Sequence, residues 1–358
     1  MSKTKRIIIL FFILFLVGSI VIIPMFDNYS KPVSEVDEII AQFDFQENVE
    51  LKHGDVRKIY INNSRNKASK IQLFIDDSLL QTWISPSDKV YYNLESKIFN
   101  VGAKELRICV YQGSTLVNED SRLLRVLSDL IPKKASASVI NLFPHNEDHF
   151  TQGLEFSGNT LFEGTGQNGA SLLATVDLNS GKLFKKVDLE STYFGEGITI
   201  LGNNVYQITW QQQKCFVYNK GSLEKIKEIN YSGEGWGLCN DHSNIIMSDG
   251  SERLYFRSPQ TFEINKIVEV YDNNGPITNL NELEYVNGKI YANIWQQNYI
   301  VVIDPSTGKV IQKIDCDEVV LKARGMGEVL NGIAFHPLTK KLYLTGKNWS
   351  KVAEVNIK

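Results

Sequence analysis

Gln152-Gly-Leu-Glu-Phe156, Glu196-Gly-Ile-Thr-Ile200, Trp236-Gly-Leu-Cys-Asn240, Asn281-Glu-Leu-Glu-Tyr285 and Asn331-Gly-Ile-Ala-Phe335 repeat one pattern: a polar or aromatic residue, Gly or Glu, then a short strand-forming run. Their starts lie 44, 40, 45 and 50 residues apart, the period of a four-stranded propeller blade. Each is followed by a turn and a second strand-like run, at Thr160–Glu163, Asn204–Thr209, Asn244–Ser248, Lys289–Ile294 and Lys341–Thr345. Asp177-Leu-Asn-Ser-Gly-Lys182 and Asp304-Pro-Ser-Thr-Gly-Lys309 read as hairpins whose Gly supplies a positive φ. The fifth segment leaves no room for a fourth strand before Lys358. Val139–Leu142, ahead of the first segment, can fill that place and close the ring, removing an exposed sheet edge. The fold expected for residues 136–358 is therefore a five-bladed β-propeller.

In such a fold the innermost strands line the axis, so Gln152, Glu196, Trp236, Asn281 and Asn331 should converge at one end of the channel. The neighbouring Gly lets four of the five backbones crowd together. One carboxyl, several amides and an indole make a pocket suited to a small polar substrate with an apolar stem. The same ring could equally satisfy only backbone groups and water in a structural channel, because fold alone does not fix function.

The rest of the segment separates these readings. Phe150-Thr-Gln-Gly-Leu154, Tyr193-Phe-Gly-Glu-Gly197, Tyr206-Gln-Ile-Thr-Trp210, Gly233-Glu-Gly-Trp-Gly237, Met247-Ser-Asp-Gly250, Asn279-Leu-Asn-Glu-Leu-Glu284, Asn293-Ile-Trp295, Leu330-Asn-Gly-Ile-Ala334 and Thr345-Gly-Lys-Asn-Trp349 stand in the order and spacing of one family. From about Ser136 to Lys358 the chain resembles the plant-type glutaminyl-peptide cyclotransferases, or glutamine cyclotransferases. The resemblance implies conversion of an N-terminal glutamine of a peptide or protein into pyroglutamate with loss of ammonia. It implies Glu196 as the proton-handling carboxyl, Gln152, Asn281 and Lys347 as polar partners, and Trp210, Trp236 and Trp295 as pocket walls; Asn331 joins them from the repeat. Glu163, in Phe-Glu-Gly-Thr-Gly, matches a family segment that usually has Ser where Gly164 stands, and a supporting role is expected for it.

Two other functions compete. One is a non-catalytic propeller that binds a peptide or glycan at the channel mouth. The other is a lactonase or sugar dehydrogenase, which needs an axial Glu/Asn/Asp metal cluster or a His/Arg quinone site; Trp236 is a poor neighbour for a hydrated metal. His53, His145, His149, His242 and His336 form no HExxH or Cys/His pattern, and His145 and His149, after Pro144, read as solvated loop residues rather than zinc ligands. No cofactor is required, although Asp249, Asp272 and Asp304, read as turn formers, leave room for a structural calcium.

The N-terminal third reads differently. Ile7–Phe26 is apolar apart from Gly18, Ser19 and Pro24, long enough to cross a ~30 Å hydrocarbon layer. Lys3, Lys5 and Arg6 precede it, so the positive-inside rule keeps the N-terminus cytoplasmic and exports the rest. An uncleaved signal anchor at 1–26 is preferred over a removed signal, giving a membrane-anchored, extracytoplasmic protein. A linker with helical turns at Val36–Phe43 is expected over 27–46. Over 47–130, short runs at Lys58–Ile61, Ile71–Ile75, Leu80–Ile84, Lys89–Leu94, Leu106–Tyr111 and Leu123–Leu127 suggest a small Ig-like β-sandwich without a catalytic constellation. Ile131–Ala135 reads as the boundary between the domains.

In an exported chain Cys109, Cys215, Cys239 and Cys316 invite a disulfide reading, but their spacing decides nothing; Cys109 and Cys215 sit in apolar strand-like runs, which favours buried free thiols, with a Cys215–Cys239 bridge the alternative. A net charge of −3 over 358 residues gives no reason to expect nucleic acid as a partner, and Lys-rich stretches such as Lys182–Lys186 read as solvated hairpin faces.

Overall fold

The computed structural model describes residues 39–358. The expected membrane segment and most of the expected linker lie outside them. Among the described residues no helix is long and apolar enough to cross a membrane.

Alternation decides the first part of the fold. In Lys70–Ile75 the side chains of Ile71, Leu73 and Ile75 are buried while those between are half-exposed, so one face of the strand enters a core. Eight strands make up this part: β1 (Ala41–Phe43), β2 (Val49–Lys52), β3 (Val56–Asn63), β4 (Lys70–Ile75), β5 (Ser78–Ile84), β6 (Lys89–Glu95), β7 (Gly102–Gln112) and β8 (Thr115–Leu127). They form two sheets, β1-β3-β6 and β2-β8-β7-β4-β5, that share one apolar core including Phe43, Ile59, Ile61, Leu73, Ile108 and Leu124. All six expected runs are strands, but β1 and β2 are additional. Ala41–Phe43 is not helical: it pairs antiparallel with Ile61–Asn63, burying Phe43 and accepting anchorage from Asp120, whose Oδ2 receives the Phe43 N–H at 2.8 Å.

After a break at Ser128–Pro132, β9 (Lys133–Pro144) begins within the expected boundary. Three four-stranded antiparallel sheets then follow in chain order. They are β10 (Thr151–Ser157), β11 (Thr160–Thr165), β12 (Leu172–Val176) and β13 (Leu183–Asp188); β14 (Gly195–Leu201), β15 (Asn204–Thr209), β16 (Lys214–Asn219) and β17 (Lys225–Asn230); and β18 (Leu238–Asn240), β19 (Ile245–Ser248), β20 (Arg253–Arg257) and β21 (Ile264–Glu269). A small ribbon, β22 (Tyr271–Asp272) and β23 (Gly275–Pro276), precedes β24 (Leu280–Val286), β25 (Lys289–Ile294), β26 (Tyr299–Ile303) and β27 (Val310–Asp315). Helix α1 (Asp317–Ala323) leads to β28 (Leu330–His336), β29 (Lys341–Gly346) and β30 (Lys351–Ile357). In the three separate four-stranded sheets the first three strands are largely buried and the fourth, such as Leu183–Asp188, is mostly exposed, whereas β27, covered by β9, is half-buried.

The last seven of these strands join β9 in one eight-stranded sheet, β24-β25-β26-β27-β9-β30-β29-β28. Val139–Leu142 does lie beside the final strand, as expected, and β9 does more. Ala137–Pro144 pairs antiparallel with β30, while Lys133–Ser136 pairs in parallel with β27. The described residues from Ile40 onward form one compact unit. At the junction of its two parts, Lys309 Nζ donates to Asp129 Oδ1 at 2.7 Å, and Glu269 Oε2 accepts the Ala103 N–H at 2.8 Å.

The repeated glycines have a common cause. A β-carbon at Gly153 would collide with the backbone of Ile198, one at Gly197 with Leu238, and one at Gly237 with the Asn281 carbonyl. Successive first strands therefore approach one another at the glycine. The fourth repeat carries Glu282 instead, and its carboxylate fills the space: Oε1 accepts from Leu154 N at 3.1 Å and Oε2 from Ile333 N at 2.8 Å. Cys109, Cys215, Cys239 and Cys316 are all buried free thiols, and no Cys215–Cys239 bridge forms.

Candidate active site

The pairing of four of the five first strands slips near its start, between Thr151 and Gly153, Gly195 and Ile198, Leu280 and Leu283, and Leu330 and Ile333; β18, after Trp236, pairs without a slip. Gln152, Glu196, Asn281 and Asn331 sit in these irregularities, which turn a side chain out of the regular alternation. Because the strands are antiparallel, the second strand of each set ends where the first begins. Trp210 follows β15, Trp295 follows β25 and Lys347 follows β29. The start of β10 therefore lies in the same region as the ends of β15, β25 and β29.

There, a cavity of about 330 Å³ is lined by Phe150, Gln152, Phe194, Glu196, Trp210, Trp236, Asn281, Trp295, Gln296, Glu328, Val329 and Lys347. Seven of the eight residues singled out in the sequence meet in it. Asn331 does not line it: it is fully buried behind Gln152, donating from Nδ2 to Gln152 Oε1 at 3.1 Å and to the Thr151 carbonyl at 3.0 Å. Its place is to fix the orientation of the Gln152 amide. Gln152 in turn donates from Nε2 to Glu196 Oε1 at 2.9 Å. Among the described residues Asn281 Oδ1 is buried without a hydrogen-bond partner, an acceptor on the cavity wall.

Burial raises the Glu196 carboxyl well above the usual carboxylate range, with Lys347 pulling it back and Glu234 adding to the rise. Lys347, itself buried, is held below the ordinary lysine range by desolvation, which Glu196 and Glu328 oppose. Its Nζ lies 4.6 Å from the centroid of the Phe150 ring, so an aromatic face supplies part of the solvation that water does not.

Glu234 and Phe194 were not among the residues singled out. Glu234 Oε2 accepts from the indole N–H of Trp210 at 2.7 Å and of Trp236 at 3.2 Å, and Oε1 from Gln211 at 3.0 Å. Desolvation raises its carboxyl, but these three bonds hold it below the ordinary range. One carboxylate thus fixes two pocket walls. Trp236 meets Trp295 edge to face at 5.7 Å, and Phe194 contacts both Trp210 and Phe150 edge to face. Glu234 stood in the quoted Gly233-Glu-Gly-Trp-Gly237 segment; only its distance from the axial ring disguised it.

His145 and His149 are not solvated. Their side chains are 3% and 5% exposed and both contact Glu163, which is also buried and stands apart from the cavity. A larger cavity of about 570 Å³ opens at the other end of the same first strands, beside Glu155, Glu284 and Phe335, without a tryptophan.

Residues 114–357 match the model of the family described as glutamine cyclotransferase. The chain is 38% identical over 236 residues to the glutaminyl-peptide cyclotransferase of Arabidopsis thaliana, covering 64% of this chain and 74% of the plant protein. The crystal structure of Myxococcus xanthus glutaminyl cyclase superposes with a TM-score of 0.60 at 34% identity, covering 64% of this chain and 99% of the bacterial one. The fold is all-β and propeller-like, and the site is a buried carboxyl among amides and indoles. The chain belongs to the glutamine cyclotransferase family and is an enzyme of that family. The match begins about twenty residues before Ser136, in the turn that leads into β8, the last strand of the first part of the fold.

Proposed function

We propose that this chain converts the N-terminal glutamine of a peptide or protein into pyroglutamate with release of ammonia, with Glu196 carrying the proton and no metal at the reacting atoms. The observation that carries the reading is the buried Gln152–Glu196 pair, 2.9 Å apart, on the wall of a cavity of about 330 Å³, with room for a terminal glutaminyl residue.

The substrate's α-amine must attack its own γ-carboxamide. Both reactants are in one molecule, so the site has to fold the side chain back and hold it in a five-membered ring. Trp210, Trp236 and Trp295 supply flat walls for that fold. Asn281 Oδ1 is an acceptor suited to the α-amine. The amine has a pKa of ~7.7–8.0 in solution, and a buried carboxyl raised well above its usual range can take the proton that the attacking amine loses and return it to the departing amide nitrogen, which leaves as ammonia. Lys347 is the group suited to the negative charge that develops on the γ-carbonyl oxygen. The cavity's polar groups are two carboxyls, three amides, an ammonium and indoles, with no imidazole or thiolate among its lining residues; an ammonium and indoles among the carboxyls make a poor ligand set for a catalytic metal, which favours proton transfer alone.

The wider architecture that fits this reading is a five-bladed propeller over 136–358 carrying the site, an Ig-like sandwich over 47–130, and an anchor over 1–26 that places both outside the cytoplasm. Five sets of four strands, with β9 completing the fifth, support the blade number.

The test is ammonia release from Gln-initiated peptides by the purified protein, with and without a chelator. Glu196→Gln should lower kcat by about 10²–10⁴-fold with KM little changed, the scale of a lost general acid–base group. Wild-type turnover in that variant would remove Glu196 from the role. A cavity that binds the peptide without releasing ammonia would mark a binding protein instead.

A further inference from the structure

We propose that His145, His149 and Glu163 form a buried zinc site that fastens the loop before Phe150 to strand β11. Nothing in the reaction above uses these three residues, and none lines the cavity. Their nearest ligand atoms all lie within 4.8 Å of one another, two imidazole nitrogens and a carboxylate oxygen. Ligand atoms of a tetrahedral zinc with ~2.0–2.1 Å bonds stand roughly 3.3 Å apart, so only a small adjustment is needed.

The hydrogen bonding around His145 carries the argument. Nδ1 lies 2.7 Å from the Trp349 carbonyl oxygen and Nε2 lies 2.9 Å from Glu163 Oε1. Both neighbours are acceptors, whereas a neutral imidazole has one N–H. If Nδ1 keeps that proton for the carbonyl, the Nε2 lone pair faces a carboxylate oxygen. A cation between them resolves the conflict. A backbone carbonyl that receives the far N–H of a metal-bound histidine is also the usual orienting partner of such a ligand.

The remaining contacts agree. His149 Nδ1 is 2.7 Å from Glu163 Oε2, and the Thr151 hydroxyl donates to Glu163 Oε1 at 2.8 Å while lying 3.4 Å from His145 Nε2. The loop is fixed independently of any ion: His145 N donates to the Ser350 carbonyl at 3.0 Å, Asn348 N to the His149 carbonyl at 2.8 Å, and Asn348 Nδ2 to the Glu147 carbonyl at 2.7 Å. The donors are thus held in place before metal arrives. Two imidazoles and one carboxylate suit zinc, whose structural role here would be to brace the loop leading to Phe150 and the turn carrying Lys347.

The purified full chain is stripped with chelator, desalted and titrated with zinc, and retained metal is counted by atomic spectroscopy. One equivalent should survive gel filtration in the wild type and be absent from His149→Ala, whose zinc affinity should fall at least about tenfold. Zinc should raise the wild-type Tm and leave that of His149→Ala unmoved, and cobalt in place of zinc should give the intense visible bands of a four-coordinate site. Wild type that retains no zinc and whose Tm ignores it overturns the proposal, leaving an imidazolium–carboxylate cluster. So does His149→Ala that keeps the same equivalent. Should the variant not fold, the wild-type cobalt spectrum and Tm decide. These readouts need no turnover, so they stand whether or not ammonia is released.

Discussion

Gln152 shows how a neutral side chain can set the chemistry of a charged one. Its amide is oriented by Asn331 and donates to Glu196. That bond favours the ionised carboxylate, against the desolvation that raises Glu196. Gln152→Leu should therefore move the acid limb of the kcat/KM profile to higher pH and lower kcat by roughly three- to tenfold, the scale of one hydrogen bond of about 0.5–1.5 kcal/mol. Full pH–rate curves of the two proteins check both effects. Glu234 offers the contrasting case, because it acts through the indoles it holds. Glu234→Ala should raise KM more than it lowers kcat, since Trp210 and Trp236 lose their common anchor. A fall in kcat alone would place Glu234 nearer the reacting atoms.

At the scale of strands, the same first-strand starts that carry the site also carry the interior polar links. Glu282 accepts from β10 and β28 at once. Glu282→Leu leaves two buried N–H groups unpaired and should destabilise the protein by about 2–4 kcal/mol in urea unfolding, while Glu282→Gln should be milder. Further along these strands Glu155 and Glu284 are both raised by burial, Glu155 to about 8. Their carboxyls hold protons in the folded state that an unfolded chain releases near ~4.3. The stability they contribute is whole below that value and is lost as the pH climbs towards about 8. Tm should fall over this window, and Glu284→Gln should flatten the fall.

The repeat made these strands legible. Asn204–Thr209 and Lys289–Ile294 appear with the bounds that alternation predicts, and the polar-Gly pairs mark the points where strands crowd together. Three things were hidden. β1 is only three residues long, and its pairing with Ile61–Asn63 depends on a neighbour twenty positions away. Asn331 shares its repeat position with Gln152 yet turns towards Gln152 rather than the cavity, a choice set by packing. His145 and His149 follow a proline in a polar stretch, and only Glu163, from β11, gives them a reason to be buried.

At the scale of the molecule, one strand holds three parts together. β9 lies between β27 and β30 and follows directly from the break after β8. Lys309–Asp129, Glu269–Ala103 and the contact of Ser128 N with the Asp272 carbonyl tie the first part to the second. Residues 40–358 should therefore unfold in one calorimetric transition. Two separated transitions would show that these links are too weak to couple the parts. Deleting residues 351–357 should abolish that transition or lower its midpoint severely, because β9 and β29 each lose a partner.

The pairing of β9 with β30 also sets an order of events during synthesis. Pro144 meets Lys351 and Ala137 meets Ile357, across more than two hundred residues. Until those late residues have left the ribosome, β9 presents an open edge with nothing of its own chain to cover it. A translating copy thus stays an unlatched ring until residues 351–357 have been made, which makes the nascent form, rather than the finished one, the natural client of chaperones and the point at which crowding is most dangerous.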